Sequence, residues 1–178
     1  PETAVAGLIF HELAHQVLYV KDDTTFNESF AVTVQREGVS RWLAKYGTSE
    51  QRAAFVVAQR RKEDFALLVM KYRNLLDELY RSDISDSRKR ESKRQIFSEL
   101  QQEYTQLKAS WGGFSGYDHW LPPEANNASL ASIAAYTQLV PSFQALLAKN
   151  DGDLARFYQA VKEIAGLPKP GRDARLAH

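Results

Sequence analysis

Residues 11–15 read His-Glu-Leu-Ala-His. Positions four apart share a face of an α-helix, so the imidazoles of His11 and His15 could converge on one metal ion. Glu12 stands three positions before His15, at the edge of that face. Its carboxylate can reach a water on the ion without binding the ion itself. At this chain's own histidine and glutamate frequencies the pattern arises by chance at roughly 0.6 per cent, which makes coincidence a weak explanation. The coincidental arrangement would be two histidines bonded to backbone carbonyls and a glutamate in a structural ion pair.

A catalytic zinc takes three protein ligands and keeps a fourth position for water, so a third donor must return to the histidines. Cysteine is absent. That confines metal ligation to nitrogen and oxygen and removes disulfide frameworks, thiolate zinc sites and cysteine nucleophiles. Glu28 is placed for the role. It follows His15 by thirteen positions, enough for one helix to end, a turn to pass and the first turn of a second helix to come back alongside. The plainer role for Glu28 is an acidic residue favoured by a helix N-terminus. With Zn2+ on His11, His15 and Glu28 to activate a water, Glu12 would accept the water's proton and pass it to a leaving amine, which is peptide hydrolysis.

These residues must be positioned by helices. Val5, Leu8, Ile9, Leu13, Val17 and Leu18 recur at helical spacing, with Pro1 and Glu2 suited to a first turn, and predict a helix over 2–20. It is apolar nearly all round, which predicts burial. Buried, the trio of His11, Glu12 and His15 is costly unless each is compensated, and a metal ion would compensate it. Lys21 to Thr25 reads as a polar turn, Asn27 as the cap of a second helix running to Tyr46-Gly47. From Thr48 or Ser49 to Tyr80 there is neither glycine nor proline, so a third helix runs ~45 Å at 1.5 Å per residue. Arg88 to Lys108 reads as a fourth helix antiparallel to it. Trp111 to Asn127, with its glycines, aromatics and Pro122-Pro123, is irregular and of the kind that often carries function. Residues 128–137, 141–149 and 153–165 read as three further helices, and the tail from Gly166 as loose.

The 178 residues include 44% apolar and 25% charged side chains, with a formal net charge of +1. Such a balance gives no field that would gather nucleic acid or an anionic membrane over the whole surface. The most basic run, Arg88 to Arg94, lacks interleaved stacking aromatics and reads as a solvated helix end. The apolar stretch Thr3 to Phe10 is far shorter than the ~20 residues a membrane-spanning helix needs. The chain begins with Pro1 and helical periodicity starts at once, so a fragment of a longer protein is expected.

Asn27-Glu28-Ser29-Phe30-Ala31 resembles the NE-x-F-A segment that supplies the glutamate ligand in gluzincins, metallopeptidases with two histidine ligands and one glutamate. The stretch from Leu8 to Gln16 and on through Asp23 to Ala31 resembles the bacterial family of putative aminopeptidases. Asn126-Asn127-Ala128, Leu130-Ala131, Tyr136 and Val140-Pro141-x-Phe143 are similar to that family's C-terminal part. The resemblance spans nearly the whole chain and is strongest over 8–38 and 124–143. It implies a zinc peptidase acting on peptide substrates, often within a lipoprotein of the bacterial cell envelope or periplasm, anchored through a lipidated N-terminus. The separation of His15 from Glu28 is shorter than in thermolysin-like enzymes, and no upstream segment that would bind a substrate's free amino terminus is visible.

Other candidates then have assignable roles. Tyr136 is the first candidate to donate a hydrogen bond to a tetrahedral oxyanion, with Tyr117 and His119 as alternatives. Asn126 and Asn127 could bind substrate backbone or simply cap a helix. Asp22, Asp23 and Glu37 are candidates to accept the second ring N–H of the ligand histidines. The expected fold is mainly α: a zincin-type helical hairpin, a long antiparallel helix pair over 48–109 and a C-terminal helical group. Residues 1–165 are expected to form one catalytic domain and 166–178 a flexible tail. The expected function is zinc-dependent, aminopeptidase-like hydrolysis of peptide bonds, with no nucleic acid partner. The competing reading is a zinc-stabilised or metal-free helical interaction module.

Overall fold

The structure, a computed structural model of the chain, describes residues 2–122 and 125–177. Four expectations fall at residues outside them: Pro1 in the first turn, Pro123 in the aromatic segment, residue 124 at the start of the second stretch of resemblance, and residue 178 at the end of the tail. The fold is mainly α. Eight helices and no strand occur among the described residues: α1 (Glu2–Val17), α2 (Thr24–Tyr46), α3 (Ser49–Arg81), α4 (Asp86–Ser110), α5 (Asn127–Thr137), α6 (Val140–Lys149), α7 (Leu154–Ala165) and α8 (Lys169–Leu176). They fall into two compact units, Pro1–Phe55 with Ala135–His178, and Val56–Ala134.

In the first unit α1 and α2 form a hairpin, α2 also packs on α6, and α6, α7 and α8 follow in sequence. Two glycines allow the hairpin to close tightly. A Cβ on Gly38 would lie 2.6 Å from Cγ of Phe10, and one on Gly7 would lie 3.0 Å from Nε2 of Gln35. Below α1 and α2 lies an apolar core built around Phe26, Phe30, Phe143, Phe157 and Val161, each almost fully buried. The rings of Phe26 and Phe143 meet edge to face with centroids 5.1 Å apart, an arrangement aromatic quadrupoles favour.

Three expectations are corrected here. First, α1 is not buried all round. Gly7 and Ala14 are buried against the hairpin, while Val5, Leu8, Ile9 and Leu13 are 52–61% exposed. Periodicity shows that a helix is apolar but not which of its faces has a partner. Second, Asn27 is not the cap of α2. Asp23 is, its Oδ1 accepting the Phe26 N–H at 3.3 Å, so the helix starts one turn earlier. Asn27 instead turns inward and clasps the preceding loop: Val20 N–H donates to Oδ1 at 2.8 Å, and Nδ2 donates to the Val20 carbonyl at 2.7 Å. Third, the tail from Gly166 is not loose. It contains α8, which buries Arg172 and Leu176.

In the second unit α3 and α4 run antiparallel. Arg61 donates to the Trp111 carbonyl, Phe65 packs on Tyr104, Tyr72 reaches Glu103 and Lys89 donates to the Tyr80 carbonyl, partner numbers falling as the first rise. Leu68, Val69, Leu76 and Leu100 fill the seam. The aromatic segment folds onto this pair, with Tyr117 stacked on Phe65 at 4.6 Å between centroids. Taken as one stretch, Asn127–Lys149 is long and apolar enough to cross a membrane by length and composition. It folds as two helices that bury Leu130 and Ile133 on α5, and Phe143 and Leu147 on α6.

Candidate metal centre

His11 and His15 project from α1 on successive turns, and Glu28 comes from the first turns of α2. Three local devices bring them together. The glycine contacts set the spacing of the two helices. The Asp23 cap fixes where α2 begins. The Asn27 clasp ties its first turn to Val20, the last apolar residue of the loop leaving α1.

The result is a compact donor set. Nε2 of His11 lies 3.2 Å from Oε2 of Glu28, Nε2 of His15 lies 3.8 Å from Oε1 of Glu28, and the two Nε2 atoms are 3.3 Å apart. All three ligand atoms lie within 4.8 Å of one another, a group that could hold a metal ion. Two ligand atoms on a tetrahedral zinc with ~2.1 Å bonds sit about 3.4 Å apart, so the separations fit such an ion. The side chains are 14–19% exposed, which leaves one side of the group open to solvent.

Protonation supports the same fit. Nδ1 of His11 faces Oε1 of Gln35 at 3.3 Å. An amide oxygen only accepts, so a neutral His11 ring bonded in this way carries its proton on Nδ1 and turns the Nε2 lone pair toward the Glu28 carboxylate. Two acceptors in contact repel; a cation between them removes the repulsion. Nδ1 of His15 is buried with no hydrogen-bond partner among the described residues. Packing orients that ring instead, with His11 and Tyr19 set edge-on to it.

The accepting residue is therefore Gln35, and none of the candidates Asp22, Asp23 and Glu37. Asp22 is exposed in the loop at φ 61°, Asp23 caps α2 and pairs with Arg172, and Glu37 pairs with Arg41 at 2.7 Å. Gln35 stands seven positions after Glu28, two turns along the same face of α2, and that spacing was a signal for it. Ser29 was also missed. Its hydroxyl donates to the Ala135 carbonyl at 3.5 Å and accepts the Leu139 N–H at 3.2 Å. The end of α5 is thereby tied to the residue next to Glu28.

Glu12 is exposed on α1, beside the histidine face. Tyr136 is 42% exposed and follows directly on Ala135, whose carbonyl Ser29 holds. The remaining candidates belong to the second unit. Tyr117 packs between Phe65, Trp111 and Phe114, where burial pushes its hydroxyl pKa up despite Arg61 nearby. His119 is exposed beside Trp120. Asn126 caps α5, its Oδ1 accepting the Ala128 N–H at 2.9 Å, and Asn127 donates to the Tyr80 hydroxyl at 2.8 Å.

No curated protein and no solved structure matches the chain. A protein-family model described as putative aminopeptidase matches residues 1–176, and with nearly every residue covered the chain belongs to that family.

Proposed function

We propose that this chain is the metal-bearing part of a zinc-dependent peptidase of aminopeptidase type. The observation that carries the reading is the convergence of His11, His15 and Glu28 at separations a tetrahedral ion would require. Zinc is the ion of choice for two imidazoles, one carboxylate and an open position, and when bound it supplies Lewis acidity and a more acidic water.

The protein's own groups do the rest. Gln35 holds the His11 proton on Nδ1 and keeps Nε2 free to ligate. Glu12 takes the proton of the attacking water and returns it to the leaving amine. Tyr136 donates to the oxygen that gains charge as the scissile carbonyl becomes tetrahedral. On the family resemblance, the protein works in the bacterial cell envelope, its substrates are peptides, and a lipidated N-terminus anchors it.

The test is a metal analysis of the purified chain combined with peptide hydrolysis by Glu12→Gln. Zinc near one equivalent, with hydrolysis lost in a variant that keeps its zinc and helix content, supports the reading. Hydrolysis undiminished in Glu12→Gln, or a chain that takes up no zinc, overturns it.

A further inference from the structure

Asp23 is shared between two structures. Its Oδ1 accepts the Phe26 N–H as the cap of α2, while its Oδ2 accepts from Arg172 through Nε at 3.0 Å and Nη2 at 2.8 Å. Arg172 sits on α8, 149 positions away in sequence. Its Nη1 donates to the Leu167 carbonyl at 2.6 Å, and its guanidinium lies 5.8 Å from the centre of the Phe26 ring. Both charged side chains are buried, at 5% and 8% exposure. Lys169 approaches the other carboxylate oxygen at 3.7 Å from the surface side.

A buried pair of this kind is a poor source of stability, because removing two charges from water offsets most of their attraction. Its physical distinction is directional: a guanidinium fork fixes a carboxylate in position and angle, which a point charge does not. The carboxylate fixed here determines where α2 starts. Four residues after Asp23 comes Asn27, which clasps Val20, and the next residue is Glu28. The C-terminal helix thus reaches the third ligand through two buried hydrogen-bonded links.

We propose that Arg172 is a positioning residue for Glu28, setting the metal affinity of the His11–His15–Glu28 centre through the Asp23 cap. The proposal rests on the reading of that centre as a zinc site. It gives α8 a part in the chemistry without any contact with substrate or metal.

The test compares the unsubstituted chain with Arg172→Met, which keeps the bulk and loses the fork, and Arg172→Lys, which keeps only the charge. Zinc affinity is measured by competition with a chromophoric chelator, and ligand geometry by the visible absorption of the cobalt-loaded protein. Arg172→Met is expected to weaken zinc binding about tenfold or more, the range for residues that orient a ligand, and to change the cobalt bands while helix content is kept. Arg172→Lys is expected to fall between. In a Glu28→Ala background, Arg172→Met should have no further effect, since the group it acts through is gone. Unchanged affinity and cobalt bands in Arg172→Met overturn the proposal and leave the zinc reading standing. So does an equal loss in the Glu28→Ala background, which marks general loosening. If Arg172→Met loses its helix content, Arg172→Lys is read by the same criteria. An unsubstituted chain that binds no zinc overturns both readings.

Discussion

Gln35 and Glu28 lie two turns apart on α2 and meet the same imidazole from opposite sides, Oε1 of Gln35 at Nδ1 of His11 and Oε2 of Glu28 at Nε2. One helix therefore contacts both ring nitrogens of the same histidine, with a carboxylate on one side and an amide on the other.

Replacing Gln35 by leucine removes the acceptor and frees the His11 ring to change tautomer. Zinc affinity is expected to fall about 10–100-fold, and Gln35→Glu, which retains an acceptor, should recover most of it. Chelator competition checks both. Equal affinity for the leucine variant and the parent would mean the amide does not orient His11.

Glu12→Gln preserves size and removes basicity. With the zinc retained, hydrolysis should fall about 10²–10⁴-fold, the usual contribution of a positioned general base. Steady-state rates on a peptide library, measured beside metal content, distinguish loss of the base from loss of the ion.

Asn27→Leu keeps the bulk of a side chain that is 1% exposed and strands the N–H and carbonyl of Val20. An unmet buried polar group costs about 1–3 kcal/mol, so urea denaturation should show a loss of at least that size. A loss below ~0.5 kcal/mol would mean that water replaces the clasp.

Gly38→Ala places a methyl group 2.6 Å from the Phe10 ring. Overpacking of this kind costs about 1–3 kcal/mol, and because the hairpin must open, zinc affinity should drop as well. Adding Phe10→Leu to Gly38→Ala should restore part of both, and independent, additive effects would refute the contact.

The second unit carries two hydroxyl–carboxylate–ammonium groups whose titration has a definite direction. Burial and the bonds to Glu103 and Asp118 raise the pKa values of Tyr72 and Tyr104, while Lys71 and Lys108, together with those hydroxyls, hold the two carboxyls below their ordinary values. A raised tyrosine stabilises the fold below its unfolded pKa of ~10 and ceases to as pH climbs from there. A lowered carboxyl stabilises it above the ordinary carboxylate pKa of ~4 and ceases to as pH falls below that. Stability should therefore decline beyond both limits, and Tyr72→Phe with Tyr104→Phe should flatten the alkaline limb in denaturation series across pH.

Sequence carried the helices that announce their own ends. The α3 and α4 pair was legible because no glycine or proline interrupts 49–80 and serines and aspartates mark the turn. The meeting of His11 and His15 was legible because residues four apart share one helix face. What was hidden depended on partners distant in sequence. The tail holds Pro168, Pro170 and Gly171, which read as breakers, yet proline is tolerated in a first helical turn, and α8 is fixed by Arg172 reaching Asp23. The exposed face of α1 was hidden for the converse reason, since hydrophobicity does not name a neighbour. Asp23 was misread because a cap, an ion pair and a ligand partner all call for the same carboxylate.

The first two turns of α2 carry Asp23 at the cap, Asn27 on the loop, Glu28 facing His11 and Ser29 under the α5–α6 junction. Fraying that short stretch would loosen all four attachments together, so the gathering of His11, His15 and Glu28 hangs on two turns of helix staying wound.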